Sequence, residues 1–226
     1  MITRFCPSIY RDMHLGHIIA MFLTYEYTRL KKGEMLIRVV FRQPELSDSE
    51  AEKRNIEIMK LLLPNVPIMY LNYENMDLLL WTMRDWLKEK RINLKKEHLT
   101  GPADAFLGPI FDKLTGVDTI IRGKEWSGDV DGEQPQMGIL TNCFLESICD
   151  YSIDFLYHPV LCMEDGKISK SACDKKHHIR YWLDKGVTRE KFIEWYRFKT
   201  LDVEGFLKSN LKTIPLEGKD FDFLVS

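Results

Sequence analysis

Two short groups of residues in this sequence have types and spacing suited to phosphate chemistry. The first is His14, Gly16 and His17, closing the run RFCPSIYRDMHLGH from Arg4 to His17. Apolar periodicity beginning at Leu15 predicts a helix, so both imidazoles fall at its N-terminus. Unpaired backbone N–H groups and the positive end of the helix dipole attract phosphate there. Gly16 leaves the backbone open to a ligand, and the imidazoles can hydrogen-bond phosphate oxygens. The second group is Lys167, Ser169 and Lys170 in the segment KISKS, after a turn at 164–166. Lysines on a loop after a strand can fold over a triphosphate and neutralise charge developing at phosphorus. Singly, such a histidine is more often a polar cap and such a lysine pair a solvated loop. In this order, each at a strand end, they predict an ATP site.

The elements that must position these groups follow from hydrophobic patterning. Leu15, Ile18, Ile19, Phe22, Leu23 and Tyr27 predict a helix over 15–31, stopped by Gly33. EMLIRVVF, 34–41, reads as a buried parallel strand. Ser47 with Glu50 marks the start of a helix running to Leu63. A short strand is expected at 68–71, an amphipathic helix at 75–90, a connector at 91–103 and a bent helix at 105–114. Then come a strand at 117–122, a loop at 123–132 and a helix at 133–149. The apolar run 155–163 reads as the last strand of the sheet. Helices are expected at 174–184 and 189–199, with two helix-like turns and an apolar end in 200–226. Alternating strands and helices predict an α/β fold, a Rossmann-like doubly wound parallel sheet with a short C-terminal helical extension. Such sheets bind ligands at the carboxyl ends of their strands.

Together these features resemble the class I aminoacyl-tRNA synthetases, with His14–His17 as the HIGH motif and Lys167–Ser171 as KMSKS. Arg4 to Ser8 (RFCPS) resembles the R-F-A-P-S opening of the glutamyl/glutaminyl branch, and 118–123 (DTIIRG) its H-V-I-R-G segment. The resemblance runs, with interruptions, from about Arg4 to Thr200. It implies ATP-dependent activation of a carboxylate as its adenylate, with Mg2+ bridging the phosphates. His14, His17, Lys167 and Lys170 would be the catalytic residues, and Gly16 and Ser169 would join them in binding ATP. Arg4, Ser8 and Arg122 would form the substrate pocket. Guanidinium groups suit that role because they bind carboxylates in bidentate fashion; the competing role for Arg4 and Arg122 is an internal salt bridge.

Two departures from that branch bear on the substrate. Val40 stands where the branch has an acidic residue that helps hold the substrate's α-amino group. Asp104 stands where a pocket tyrosine aligns, so either Asp104 supplies the missing charge or the pocket takes a different acid. A third departure concerns RNA. The insertion that grips the tRNA acceptor stem is reduced to the stretch near 91–103, and no anticodon-binding region is expected. The domain reading is a catalytic domain over 1–171 and a helical extension over 172–226.

The chain has 226 residues, a net charge of −2 and five cysteines, with no C-x-x-C pair or zinc-ligand spacing. That composition predicts a soluble, cytoplasmic protein with reduced thiols and no resident metal site, and no membrane-spanning run. Lys167–Lys199 is the basic stretch, with an excess of six positive charges. The favoured expectation is a ligase that activates an amino acid or related acidic carboxylate for a small-molecule or carrier acceptor, with weak affinity for tRNA. The alternatives are a reduced glutamyl-tRNA synthetase-like enzyme acting on tRNA or a tRNA nucleoside, and a non-catalytic binding relative.

Overall fold

The computed structural model describes residues 1–40, 49–71, 108, 111–124, 151–163, 166–167 and 174–226. Its centre is a five-stranded parallel sheet in the order β3-β2-β1-β4-β5. The strands are β1 (Ile2–Phe5), β2 (Glu34–Val40), β3 (Ile68–Leu71), β4 (Thr119–Gly123) and β5 (Asp154–His158). Helix α1 (Leu15–Leu30) joins β1 to β2, and α2 (Ser49–Leu62) joins β2 to β3. Strand order therefore reverses between β1 and β4. That is the point where an open α/β sheet binds its ligands.

The pleat sorts the side chains onto two faces. Phe5, Ile37, Val39 and Ile121 join the large core with α1 and α2, while Ile120, Val117 and Ile153 form a smaller core on the opposite face. Sheet and first helix are tied by a hydroxyl contact, Thr3 Oγ1 to Thr28 Oγ1 at 2.5 Å. Thr28 also donates to the carbonyl of Thr24 one turn back.

The apolar run 155–163 is two strands, not one. Pro159 carries no N–H and interrupts it, so β5 ends the main sheet at His158. β6 (Val160–Met163) opens a second sheet with β7 (Gly166–Lys167) and β8 (Thr213–Pro215), in the order β7-β6-β8. β8 falls within the stretch whose sequence predicted only helical turns and an apolar end. A 3-10 turn at Lys175–His177 precedes α3 (Ile179–Asp184) and α4 (Arg189–Thr200). α5 (Val203–Lys208) and α6 (Gly218–Val225) follow. Trp182, Phe192, Trp195, Tyr196 and Leu224 from this region belong to the same core as α1.

The expected helix at 15–31, strand at 34–41, helix opened by Ser47 and running to Leu63, and strand at 68–71 match α1, β2, α2 and β3 to within one or two residues. The predicted helices at 75–90 and 133–149, the connector at 91–103 and Ser47 lie outside the described residues. No helix among the described residues is long and apolar enough to cross a membrane.

Candidate active site

His14 is the N-cap of α1, in extended conformation. Its Nδ1 accepts from the Gly16 N–H at 3.1 Å, while its own N–H donates to His17 Nδ1 at 3.1 Å. The two imidazoles cap each other's backbone in a reciprocal box, with ring centroids 4.0 Å apart. An imidazole that accepts at Nδ1 carries its proton, when neutral, on Nε2. The cap thus makes His14 a donor at Nε2, and protonation at Nδ1 would break it. The first turn of α1 holds no acidic residue that would repel an anion. Gly16 has a specific reason to be glycine: a Cβ there would lie 2.9 Å from Cε1 and Nδ1 of His14. The space at Gly16 is thus taken by the His14 ring itself.

The loop from Cys6 to Met13 is held by α2. Asn55, fully buried, accepts from the Met13 N–H at 3.1 Å and donates to the carbonyls of Ile9 and Arg11 at 2.8 Å each. Arg54 pairs with Asp12 beside it. Ser8 sits half-buried in this loop. On the far side, Ile179 N–H donates to Met13 O at 3.0 Å, and His14 and His178 form an antiparallel bridge. The segment following the lysine motif is therefore bonded directly to the segment carrying His14.

On the opposite face of the sheet stand three arginines. Arg4 pairs in register with Leu36 and Ile120, each two residues before Arg38 and Arg122, so all three side chains share one face. Arg4 and Arg38 meet at Asp112, which is 1% exposed. Arg4 approaches through its Nε–Nη2 edge, 2.6 Å and 3.0 Å from the two carboxylate oxygens. Arg38 Nη1 bonds Asp112 Oδ1 at 2.7 Å and the Gly108 carbonyl at 2.9 Å. Among the described residues Arg4 Nη1 makes no hydrogen bond, so Asp112 fixes one edge of the guanidinium and leaves the other available. Arg122 is half-buried. Burial, then repulsion from Arg4, lower its guanidinium from the ordinary value to about 10. Among the described residues this face of the sheet brings three guanidinium groups together near one carboxylate, that of Asp112.

Asp104, Ser169 and Lys170 lie outside the described residues, and of Lys167 only the backbone, in β7, is described. The structure gathers His14, Gly16 and His17 in one helix cap, and Arg4 and Arg122 on one sheet face. Sequence reasoning passed over Arg38, Asp112 and Asn55 as site residues. Arg38 was visible as a lone charge within an apolar strand; Asp112 and Asn55 leave no comparable signal, because their partners are remote in sequence. Among the described residues no group of three His, Cys, Asp or Glu could hold a metal ion.

Residues 1–89 match the family described as tRNA synthetases class I (E and Q), catalytic domain. No curated protein matches the sequence. Among solved structures, glutamate-tRNA synthetase from Elizabethkingia anophelis aligns at 13% identity and a TM-score of 0.64, covering 99% of this chain and 69% of that one. A glutamate tRNA ligase from Elizabethkingia meningosepticum CCUG26117, in complex with its amino acid, aligns at 13% identity and a TM-score of 0.66. It covers 99% of this chain and 68% of that one. At such identity the likeness establishes the fold. By family match over residues 1–89 and by fold over nearly its whole length, the chain resembles the catalytic domain of the class I tRNA synthetases for glutamate and glutamine.

Proposed function

We propose that the protein activates an amino acid or related acidic carboxylate as its adenylate at the expense of ATP. The observation that carries this reading is the reciprocal histidine cap of α1, bridged through His14 and His178 to the segment after the lysine motif. The residues fit the phosphates of ATP. A sixteen-residue helix presents its N-terminus, no acid stands in its first turn, and His14 is held as a donor. His14 and His17 would orient the phosphate chain, and Lys167 and Lys170 would neutralise charge on departing pyrophosphate. Mg2+ would supply further neutralisation of the phosphate charge, and no protein ligand is assigned to it. Arg4 and Arg122 would hold the second carboxylate of an acidic substrate, since guanidinium groups bind carboxylates in bidentate fashion.

The acceptor in this reading is a small molecule or carrier rather than tRNA. Much of the basic stretch is internally compensated: Lys176 with Asp174, Arg180 with Asp184, Lys191 with Glu194, Arg197 with Glu26 and Lys199 with Asp220. Phosphate contacts dominate affinity for nucleic acid, and paired cations supply fewer of them. The second reading, aminoacylation of tRNA or a tRNA nucleoside, draws on the two solved structures, which are a glutamate-tRNA synthetase and a glutamate tRNA ligase.

A pyrophosphate-exchange screen over amino acids and small carboxylates, with and without tRNA, tests both readings. Exchange is expected with an acidic substrate alone, and tRNA should alter its rate by less than about threefold, ~0.65 kcal/mol. Replacing His17 or Lys170 by alanine should lower it at least about a hundredfold. Wild-type exchange in both variants would remove the site assignment. Strict dependence on one tRNA would favour the second reading.

A further inference from the structure

The C-terminal helix α6 is fastened to α4 by a buried polar network. Asp220, with no exposed surface, accepts from Trp195 Nε1 at 3.1 Å and from Lys199 Nζ at 2.9 Å. It also caps its own helix through the Glu217 N–H at 2.7 Å. Phe223 stacks on Phe198, adding an apolar contact between the same two helices. The residue beside Asp220 points elsewhere. Phe221 lies nearly parallel to Trp182, with an interplanar angle of 8° and centroids 5.9 Å apart. It stands 5.8 Å from the ring of buried His177, and Lys176 Nζ lies 5.1 Å from its centroid. Trp182 closes the group by donating from Nε1 to the Lys176 carbonyl at 2.7 Å.

These contacts fall on the 3-10 turn Lys175–His177, between the lysine motif and the His178 bridge to His14. Lys167, the first residue of the motif, is paired in β7 to β6; the turn that precedes the His178 bridge rests on Phe221. We propose that Phe221 is a positioning residue: through His177, Trp182 and Lys176 it fixes the turn that leads into the His178 bridge, and so the place of that segment against the helix cap of His14 and His17. Its consequence for catalysis rests on the function proposed above, but its consequence for the turn does not. Removing the ring removes one wall of an aromatic group whose other members belong to the turn and to α3. The polar fastening of α6 through Asp220 stays in place, so loosening should be local.

The test compares wild type with Phe221→Ala, Phe221→Leu and Phe221→Tyr. Limited trypsin digestion, read by mass spectrometry, reports opening of the turn as cleavage after Lys175 and Lys176. Cleavage after Arg54 serves as reference. Phe221→Ala should speed cleavage at the turn about tenfold relative to Arg54, with Phe221→Leu intermediate and Phe221→Tyr near wild type. In pyrophosphate exchange, kcat should fall in the same order while the KM of the acid stays within about twofold. Equal acceleration at Arg54 would mean general destabilisation and would overturn the proposal, as would an unchanged ratio in Phe221→Ala. If Phe221→Ala does not fold, the ratio in Phe221→Leu decides. Absence of exchange in the wild type would remove the proposed function, while the cleavage ratio would still decide the role of Phe221.

Discussion

Two buried aspartates anchor this molecule, and they are built differently. Asp220 meets one cation, Lys199, and one neutral donor, the Trp195 indole, so its charge is balanced. Asp112 meets Arg4 and Arg38 directly, with Arg122 close enough for Arg4 to depress its basicity. The first arrangement joins two helices and leaves no net charge behind. The second gathers two guanidinium groups onto one carboxylate at the carboxyl half of the sheet, next to the β1–β4 reversal. A closed pair between two helices serves packing; a guanidinium held by one edge, as Arg4 is, beside the point where strand order reverses keeps its other edge for a ligand.

The strongest way to break this contrast is Asp112→Ala. Arg4 and Arg38 would lose their shared carboxylate while still buried, and stability should fall by about 3–5 kcal/mol in urea unfolding. A loss no greater than that of an exposed pair would show that the arginines escape to water and that Asp112 is no anchor. Arg122→Met is the complementary change. It should lower kcat/KM for an acidic substrate at least about tenfold, equivalent to ~1.4 kcal/mol, with little effect on ATP binding. Thermal stability should rise by about 1 kcal/mol, because an unfavourably placed charge is removed. A variant less stable than wild type would mean that the Arg122 charge contributes to folding.

Lys199→Met combined with Asp220→Asn sharpens the other side. Removing both members of a balanced pair should change stability by no more than about 1 kcal/mol, whereas either change alone should be clearly worse. The smallest effect is in pH. Arg122 has a folded value near 10, below its ordinary 12.5, so the folded state releases this proton first. Below about pH 10 its burden is fully present. As pH rises further the unfolded state binds more protons, and this group's contribution to stability increases. The stability advantage of Arg122→Met over wild type should therefore be constant from pH 7 to 9 and begin to shrink near pH 10. A constant difference through pH 11 would contradict the lowered value.

The parts of the fold legible in the sequence are those that depend on near neighbours. Apolar spacing from Leu15 onward marked α1, the run EMLIRVV marked β2, and Gly33 marked the turn between them. The histidines also were legible, because a helix start and two imidazoles three residues apart form a local pattern. Pro159 was in plain view, yet the run on either side is equally apolar, and only tertiary pairing assigns its halves to different sheets. β8 is three residues long and bounded by a proline, so it gives no periodicity to read. Asp112 was illegible for another reason. Its partners lie on β1 and β2, about a hundred and about seventy positions away, and an acid next to Lys113 in a short helical run looks like part of a solvated face.

Strand β6 pairs with β8 in parallel rather than with its predecessor β5, and this orders events in time. The strands of the five-stranded sheet are all present once residue 158 has been made. β6 must then wait, joined only to the two residues of β7, until residues 213–215 arrive. Completion of the three-stranded sheet during synthesis therefore follows that of the five-stranded sheet. In hydrogen exchange the amides joining β6 to β8 should report a smaller opening energy than those joining β1 to β2. The lysine motif begins in β7, so under the function proposed above its site would be completed only when this later sheet forms.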